Sequence, residues 1–334
     1  MKLRQRFMEV RKRKGLAKST EESYWHWVNK YLRFHRQQAG DWVKPSLMSE
    51  THVEQFLSHL AVNRRVSPTT QNQAFSALLF LYRDVIGKPL ENVSALRAKT
   101  REHVPTVLSV DEVGSLLAQL RDVNELIAQL MYGAGLRVGE AVGLRIKDID
   151  LDRLTITIRQ AKGGKDRFTM LPPSLAPAIA KQIERVKYLH SLDVREGFAR
   201  VALPDAFARK SPKAASSLAW YFLFSSRTRS RDPETGEIGR HHVHKSAVQR
   251  AIKQAADRAG ITKRVTSHVL RHSFATHLLE SGSSIETVRD LLGHTDVRTT
   301  MIYLHAVTPA SERTRSPLEH ILANPGSRRI RKAM

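Results

Sequence analysis

The segment spanning residues 267–305 constrains the fold more than any other part of this sequence. Its apolar residues recur at the spacing of one helix face, and Gly282 and Gly293 interrupt the pattern. Because glycine readily adopts the left-handed conformation that ends helices, we expect short helices joined by tight turns. Ser283 and Glu286 predict a capping box at the start of the second of these helices.

The polar residues of this segment suit the transfer of a phosphodiester to a phenol. His268 and Arg271 are spaced so that both side chains leave the same helix face. Arginine offers a planar, permanently charged fork for two phosphate oxygens, and His268 and His294 can donate hydrogen bonds or protons near neutral pH. Tyr303, on a third predicted helix, needs such charges and proton acceptors nearby to act as a nucleophile. A tyrosine that merely packs in a core would leave the same pattern.

The histidines also raise the alternative of a metal site. His268 and His272 form an i, i+4 pair on the predicted helix, but no acidic HExxH pattern accompanies them. His241, His242 and His244 form a second cluster, which no cysteine or acidic partner completes. We therefore expect no metal centre.

The balance of charge predicts a polyanionic partner. The chain of 334 residues contains 55 Lys and Arg against 32 Asp and Glu, a formal net charge of +23. This excess favours nucleic acid, with an anionic membrane surface as the alternative. A hydrophobic content of 41% indicates a globular protein, and the length predicts two domains.

The composition also excludes several classes of protein. The chain has no cysteine, which rules out disulfides, thiol catalysis and cysteine-ligated zinc. No apolar run approaches membrane-spanning length, and the basic N-terminus lacks the apolar centre of a signal peptide. We expect a soluble cytoplasmic protein with no membrane partner.

The first part of the chain predicts a compact helical bundle. Amphipathic patterns and helix-start signals predict helices over residues 20–38, 50–63 and 67–87. Ser19 with Glu22 predicts a capping box for the first helix, and Gly40 predicts its end. Arg64 and Arg65 fall in the turn between the second and third helices. A generic helical domain would share these features.

Residues 98–106 divide the chain, since they carry charge and a proline without a periodic apolar pattern. We therefore expect an N-terminal domain over residues 1–97, a linker, and a second domain over residues 107–334. Arg137 and Glu140 in this second domain are spaced so that the acid can pair with the arginine and orient it. A buried structural ion pair would leave the same pattern.

A β-hairpin is predicted in the second domain. Residues 154–160 alternate apolar and polar side chains, as a strand does, and residues 167–171 form the returning strand beyond a glycine-glycine turn. Lys162 lies at or beside this turn and would project towards whatever the domain binds. Lys165 is close enough to compete with it for any role.

Together these motifs resemble those of the tyrosine recombinases, or phage integrase family. The H-x-x-R motif, the LLGH that follows and the subsequent tyrosine resemble the family's C-terminal signature, and GAGLRVGE resembles its first arginine box. The resemblance covers essentially the whole chain. It implies a mainly α fold with a small antiparallel β-sheet, in which an N-terminal helical bundle joins an α+β catalytic domain. Matched position by position, the family's catalytic roles fall on Arg137, Lys162, His268, Arg271, His294 and Tyr303.

The resemblance implies a mechanism without a cofactor. Tyr303 would attack phosphorus to form a 3′-phosphotyrosine, which conserves the bond energy, so that no ATP or other nucleotide cofactor is needed. Arg137, Arg271 and His294 would neutralise the charge that develops on the phosphate. Lys162 would protonate the leaving 5′-oxygen, with His268 assisting as acid or base. The chain has no GxxxxGK[ST] nucleotide-binding loop, which agrees.

The resemblance also implies partners. The family's N-terminal domain clasps one side of the DNA, so Arg64 and Arg65 would contact phosphates, and Lys165 would contact DNA beside the active site. The family's terminal segment docks on a neighbouring protomer, so residues 316–334 would link a homo-tetramer on DNA. A disordered basic tail is the alternative for that segment.

Residues 191–244 exceed what most members of the family have at this place, and they resemble the added segment of one subclass, the integron integrases. The pieces LPDAFARKSP, AWYFLF and GRHHVH carry this resemblance. That subclass acts on single-stranded cassette sites folded into imperfect hairpins, and its added segment grips protruding bases. Trp220, His241 and His242 would supply stacking surfaces for such bases. The implied activity is the insertion and excision of gene cassettes at duplex sites and folded hairpins.

Other functions remain compatible with parts of the sequence. A Xer-like or phage-type recombinase would act on duplex sites with the same catalytic residues. A type IB topoisomerase shares the residue set but fits the two-domain layout less well. A non-catalytic DNA-binding regulator would require only the charge.

Overall fold

The computed structural model describes residues 3–91, 98, 105–159, 166–232 and 235–304. The chain divides into two compact units, Met1–His103 and Val104–Met334. The prediction of a mainly helical fold with a small antiparallel β-sheet is confirmed. In the described ranges, no helix has the length and apolar character needed to cross a membrane.

The N-terminal unit packs its helices around large aromatic side chains. The helices are α1 (Leu3–Arg13), α2 (Lys18–Ala39), α3 (Glu50–Val62) and α4 (Pro68–Phe80), and the last continues as a π-helical segment over Leu81–Ile86. Phe7 of α1 and Phe75 of α4 are buried, and the hydroxyl groups of Tyr31 and Tyr82 share a hydrogen bond of 2.8 Å. Because both buried hydroxyls are satisfied, these rings fill the core without leaving a polar atom unpaired.

The start of α2 differs from the prediction. Ser19 and Glu22 lie inside the helix, whose N-cap is Ala17, so the predicted capping box was wrong. The sequence pattern also did not predict helix α1. Arg11 of α1 pairs with Glu21 in the first turn of α2 at 2.5 Å, a contact between two helices that no local signal indicates.

The second unit is larger and contains nine helices within the described ranges. They are α5 (Val110–Ala118), α6 (Asp122–Gly133), α7 (Val138–Gly143), α8 (Ala176–Arg195), α9 (Asp205–Lys210), α10 (Lys245–Arg258), α11 (Ser267–Glu280), α12 (Ile285–Leu292) and α13 (Arg298–Met301). Leu130 of α6, Ala141 of α7, Ile252 of α10 and Leu270 of α11 are fully buried in one core. This core holds α7 and α11 side by side with α6, which brings the two predicted arginine motifs into one unit.

The turn between α11 and α12 corrects a second capping prediction. Ser284, rather than Ser283, caps α12, and its hydroxyl accepts a hydrogen bond from the Thr287 amide at 3.1 Å. The Ser283 amide is already used, because it donates to the Leu278 carbonyl and completes the end of α11. The predicted box of Ser283 and Glu286 was therefore wrong by one residue.

The predicted hairpin forms two strands of a three-stranded antiparallel sheet. The strands β1 (Ile149–Asp150), β2 (Thr155–Ile158) and β3 (Arg167–Met170) lie in sequence order. Ile158 pairs with Arg167 in the last register position before the hairpin loop. Lys162 and Lys165 fall between β2 and β3 in the sequence and lie outside the described residues.

The segment 191–244 is anchored by a buried carboxylate. Its first residues complete α8, and further along it forms a two-stranded antiparallel ribbon, β4 (Ser230–Arg231) with β5 (Ile238–Gly239). Asp193 of α8 is fully buried and accepts hydrogen bonds from Arg240 at 2.6 and 2.7 Å, from Arg229 at 2.8 Å and from the Tyr221 hydroxyl at 3.2 Å. One acid therefore holds three parts of the segment against α8.

We expect Asp193→Asn to destabilise the protein by about 3–5 kcal/mol, because the buried Arg240 guanidinium loses its counter-charge. Chemical denaturation followed by circular dichroism measures the change. Glu184→Gln is the matched control, since Glu184 pairs with Lys187 on the surface and should cost less than about 1 kcal/mol. Equal effects of the two substitutions would show that the buried cluster does not anchor the segment.

Candidate active site

The candidate site begins at the N-terminus of α7, where Arg137 is the N-cap residue. Its backbone amide donates to Glu140 Oε2 at 2.8 Å, and its Nη1 donates to Oε1 at 2.6 Å. The pairing of Arg137 with Glu140 predicted from their spacing is confirmed. The side chain of Arg137 remains partly exposed, so its guanidinium can also reach a ligand.

Glu140 joins two further arginines to this pair. Arg167 of β3 donates to both carboxylate oxygens, at 3.0 and 2.8 Å, and Arg271 Nη1 of α11 lies 3.6 Å from Oε2. Burial alone would raise the pKa of Glu140, but the hydrogen bonds and charge of Arg167, together with Arg137, outweigh it and lower this pKa to about 2. The carboxylate is therefore ionised at neutral pH and holds three cations around one point.

Arg271 is almost fully buried, with its side chain 4% exposed. Its Nη1 donates to the Gly135 carbonyl at 2.5 Å, and its Nη2 donates to the Leu292 carbonyl at 2.6 Å. Burial, followed by the charge of Arg137, lowers the pKa of Arg271 to about 10, so it still carries its charge at neutral pH. These bonds fix the plane of the guanidinium between the end of α6 and the end of α12.

His294 lies next to Arg271, immediately after α12. Its Nε2 is 3.3 Å from Arg271 Nη2, and its Nδ1 is 2.9 Å from the Thr300 hydroxyl. Because arginine can only donate, Nε2 accepts and the proton is on Nδ1. Burial and the charge of Arg271 lower the pKa of His294 to about 4, which makes the ring neutral near pH 7.

Tyr303 is 2% exposed and lies in the turn after α13, not on that helix as predicted. The helix ends at Met301, and the chain turns there so that the tyrosine ring packs against Phe274 and Leu292. The Tyr303 hydroxyl is hydrogen-bonded to His272 Nδ1 at 3.0 Å. Burial raises the pKa of Tyr303, whereas the nearby charges of Arg271 and Arg137 oppose that rise.

The structure brings most of the predicted catalytic residues together. Arg137, Arg271, His294 and Tyr303 are connected by the contacts described above, and the ring of Tyr303 stacks at 6.3 Å from that of His294. The side chain of His268 reaches solvent on α11. The loss of water around the part of its ring that is covered, followed by the charge of Arg271, lowers its pKa. Lys162 lies outside the described residues.

Sequence patterns missed two residues of the site. Arg167 was assigned only to the returning strand, although it is a buried cation at an inward-facing position. Its Nε also donates to the Leu291 carbonyl at 3.1 Å, which ties the sheet to the end of α12. His272 was considered only as a metal ligand, although it directly follows Arg271. The alternation of β3 gave no signal for Arg167, because the apolar Phe168 and Met170 are the exposed residues of this strand and Arg167 is buried.

The predicted DNA-contacting arginines of the N-terminal unit are on its surface. Arg64 and Arg65 are exposed in the turn between α3 and α4, and Arg65 has a φ of 46°. Their positions leave both guanidinium groups accessible to an anion.

The segment 191–244 contributes aromatic side chains to a second cluster. Trp220 stacks on Phe207, with ring centroids 4.6 Å apart, and Lys147 Nζ lies 3.0 Å from the Trp220 centroid. The guanidinium of Arg145 lies 4.9 Å from the Trp220 ring and 4.3 Å from the Phe222 ring. We call these residues, with His241 and His242, the insert aromatic cluster.

The two histidines complete the insert aromatic cluster. Their ring centroids are 4.0 Å apart and lie 5.2 Å (His241) and 5.0 Å (His242) from Phe222. His242 Nδ1 lies 2.7 Å from the Val243 carbonyl, to which it can only donate, and burial lowers the pKa of His242 to about 4. A neutral ring with a free acceptor at Nε2 results. Within the described ranges, no three His, Asp or Glu side chains are grouped so as to hold a metal ion.

Comparison with known proteins agrees with this geometry. Residues 106–308 match the phage integrase family, and residues 3–92 match the phage integrase N-terminal SAM-like domain. The chain therefore belongs to the phage integrase family and is a tyrosine site-specific recombinase of the phage integrase and Xer type.

Two relatives and one solved structure illustrate the similarity. An integrase/recombinase of Escherichia coli is 46% identical over 301 residues, which cover 90% of this chain and 88% of that protein. A tyrosine recombinase of Thermosipho africanus is 31% identical over 303 residues, which cover 86% and 89%. The fold is similar to that of XerH site-specific recombinase bound to a palindromic difH substrate, with a TM-score of 0.55, 21% identity, and coverage of 93% and 83%.

We expect Gly293→Ala to lower the DNA cleavage rate at least tenfold, because misaligned side chains raise the activation free energy of cleavage. Each additional 1.4 kcal/mol in that free energy corresponds to about a factor of ten in rate. Gly293 has a φ of 64°, and a Cβ there would overlap Arg167 Cδ. The substitution would therefore displace Arg167 or the adjacent His294.

Gly260→Ala is the control, because Gly260 has a φ of 68° but no atom within 4 Å of the added Cβ. It should show only the backbone strain of about 1–2 kcal/mol in thermal unfolding, with normal cleavage. If both variants cleave at the same rate, the contact with Arg167 does not organise the site.

Proposed function

We propose that this protein is an integron-type recombinase, which cleaves and rejoins DNA through a 3′-phosphotyrosine and inserts and excises gene cassettes. Its substrates would be duplex sites and folded single-stranded hairpins. The observation that carries the chemical part is the convergence of Arg137, Arg271 and His294 around Tyr303. The insert aromatic cluster supports the choice of subclass.

The arginines suit a phosphate that develops charge during attack. Arginine has five N–H donors, and Arg271 uses its Nη groups on two backbone carbonyls. The orientation is thus set before DNA arrives, so the remaining donors need no reorganisation in the transition state. Arg137, which is more exposed, would supply a second charged donor to the same phosphate.

Proton transfer would involve the remaining residues of the family motif. We propose that Lys162 protonates the leaving 5′-oxygen, that His294 donates a hydrogen bond to the phosphate after rotating its donor away from Thr300, and that His268 assists as acid or base. The phosphotyrosine bond retains the energy of the broken phosphodiester, so the reaction would need no ATP and no cofactor.

The partners follow from the proposed reaction. Arg64 and Arg65 would contact DNA phosphates, and Lys165 would contact DNA near the cleavage site. We retain residues 1–97, 98–106 and 107–334 as DNA-binding domain, linker and catalytic domain, which the unit boundary after His103 supports. We also propose a homo-tetramer on DNA, linked by residues 316–334, which lie outside the described residues. The proposed location is the cytoplasm.

The insert aromatic cluster suits the reception of protruding bases. Any base offers a π face, and a base that displaced Phe207 would stack on Trp220, where the cations of Arg145 and Lys147 strengthen the stack. The acceptor at His242 Nε2 could bind the edge of a base. A duplex buries its bases in the helix, so a folded single strand is the substrate that would use this cluster.

We expect Tyr303→Phe to keep DNA binding and to form no covalent protein–DNA adduct. The ring still fills its pocket, and only the nucleophilic oxygen is lost. Denaturing gels with nicked suicide DNA measure the adduct, and Tyr132→Phe, which removes the hydroxyl of another tyrosine in the same unit, is the control. An adduct formed by Tyr303→Phe contradicts the proposed function.

We expect the double substitution of His241 and His242 by alanine to weaken binding to a folded single-stranded hairpin about tenfold to hundredfold, with little change for a duplex of equal length. Equilibrium binding at one fixed ionic strength measures both. The matched contrast is alanine at Arg64 and Arg65, which should weaken both substrates alike.

A wild-type protein without preference for the folded strand would favour the second candidate, a Xer-like or phage-type recombinase acting on duplex sites. The overall similarity to Xer-type tyrosine recombinases supports that candidate. If the double histidine variant lost the same amount of affinity for both substrates, the insert aromatic cluster would support the fold and would not recognise protruding bases.

A further inference from the structure

His272 has no role in the mechanism proposed so far, although it contacts the reacting atom. Its Nδ1 is 3.0 Å from the Tyr303 hydroxyl, and its side chain is half-buried on α11 between His268 and Arg271 on one side and Tyr303 on the other. His268, by contrast, lies one turn earlier on the exposed part of α11, with ring centroids 6.5 Å from those of His272.

We infer that His272 is the catalytic base that takes the proton of Tyr303 during strand cleavage. The inference rests on the proposed phosphotyrosine chemistry and adds a residue to it. In this step the phenol proton moves to His272 Nδ1, and the phenol oxygen forms a bond to phosphorus. The bond between phosphorus and the 5′-oxygen breaks, and that oxygen leaves with the bonding electrons and receives a proton from a separate acid. The next religation reverses these transfers.

The groups around His272 keep its ring unprotonated before attack, although the same groups weaken it as a base. His268 and Arg271 face it from its own helix, Tyr303 faces it from the turn after α13, and His294 lies beyond the tyrosine ring. Burial, followed by His268 and Arg271, lowers the pKa of His272 to about 4, so the ring is neutral near pH 7. With the ring proton on Nε2, Nδ1 is the acceptor for the phenol proton. A bound phosphate would add the negative charge that favours the protonated ring during attack.

A second hydrogen bond between a histidine of α11 and a tyrosine, in this case one of α6, provides a matched control. Tyr132 and His277 form a hydrogen bond of 2.9 Å through the same atoms, the phenol hydroxyl and Nδ1. Tyr132 packs against the apolar cluster that contains Tyr303, but within the described residues neither its hydroxyl nor His277 is hydrogen-bonded to Arg137, Arg167 or Arg271. A substitution of His277 therefore removes the same type of contact from α11 without touching the nucleophile.

The test is single-turnover cleavage of suicide DNA by the wild-type protein and by His272 and His277 variants, all of which retain Tyr303. We expect His272→Ala to cleave about 10²–10⁴-fold more slowly near pH 7. Because the phenol must then ionise without a base, the rate should rise about tenfold per pH unit, whereas the wild-type rate should change little over the same range. His277→Ala should follow the wild-type profile. DNA affinity should be unchanged in both variants.

A second substrate separates the base from the acid. In DNA whose bridging 5′-oxygen is replaced by sulfur, the leaving group needs no proton, so this substrate should rescue a variant that lacks the acid. It should not rescue His272→Ala. Rescue by the sulfur substrate would assign His272 to leaving-group protonation and overturn the inference.

His272→Asn addresses the possibility that the alanine variant folds poorly. Its amide can hold a hydrogen bond near the position of Nδ1 but cannot take a proton, so it should cleave as slowly as alanine and show the same rise with pH. A wild-type rate and a flat pH profile in His272→Asn would show that the bond only orients Tyr303. An adduct formed by Tyr303→Phe would instead reject the phosphotyrosine chemistry itself.

Discussion

The buried carboxylate of Glu140 is the interaction on which the catalytic unit depends. It binds Arg137 at the start of α7, Arg167 on β3 and Arg271 on α11, so three separate elements are fixed to one point. One carboxylate cannot neutralise three guanidinium groups, and buried charge without a counter-ion is costly. The site therefore retains an excess of positive charge, which an arriving phosphate would satisfy.

A second buried acid has the same effect on the other proposed surface. Asp193 holds Arg240 immediately before His241 and His242, and it holds Tyr221 between Trp220 and Phe222. The two acids thus support two different kinds of contact. The cluster around Glu140 suits phosphate groups, which are identical in every DNA sequence. The insert aromatic cluster suits bases, which differ from one DNA sequence to another. Rigid support matters for both, because a contact that must be ordered on binding loses affinity.

Local signals in the sequence predicted local structure well and failed where distant contacts intervened. Gly293 ends α12 with a φ of 64°, as its place after the apolar pattern indicated. The start of α2 was predicted wrongly, and Glu21 in its first turn instead pairs with Arg11 of another helix. Tyr303 was placed on a helix because its neighbours have helical spacing. Its ring instead turns into the apolar cluster with Phe274.

The sequence by itself determined the class of fold, the family motifs and the pairing of Arg137 with Glu140, because each depends on residues close together in the chain. Only the tertiary structure decided that Arg167 joins that pair and that His272 contacts Tyr303. Arg167 and Glu140 are 27 positions apart, and His272 and Tyr303 are 31 apart. No spacing rule connects residues at such distances. Their contacts arise from the burial of α7, β3 and α11 in one unit, which brings polar groups together that have no pattern in common.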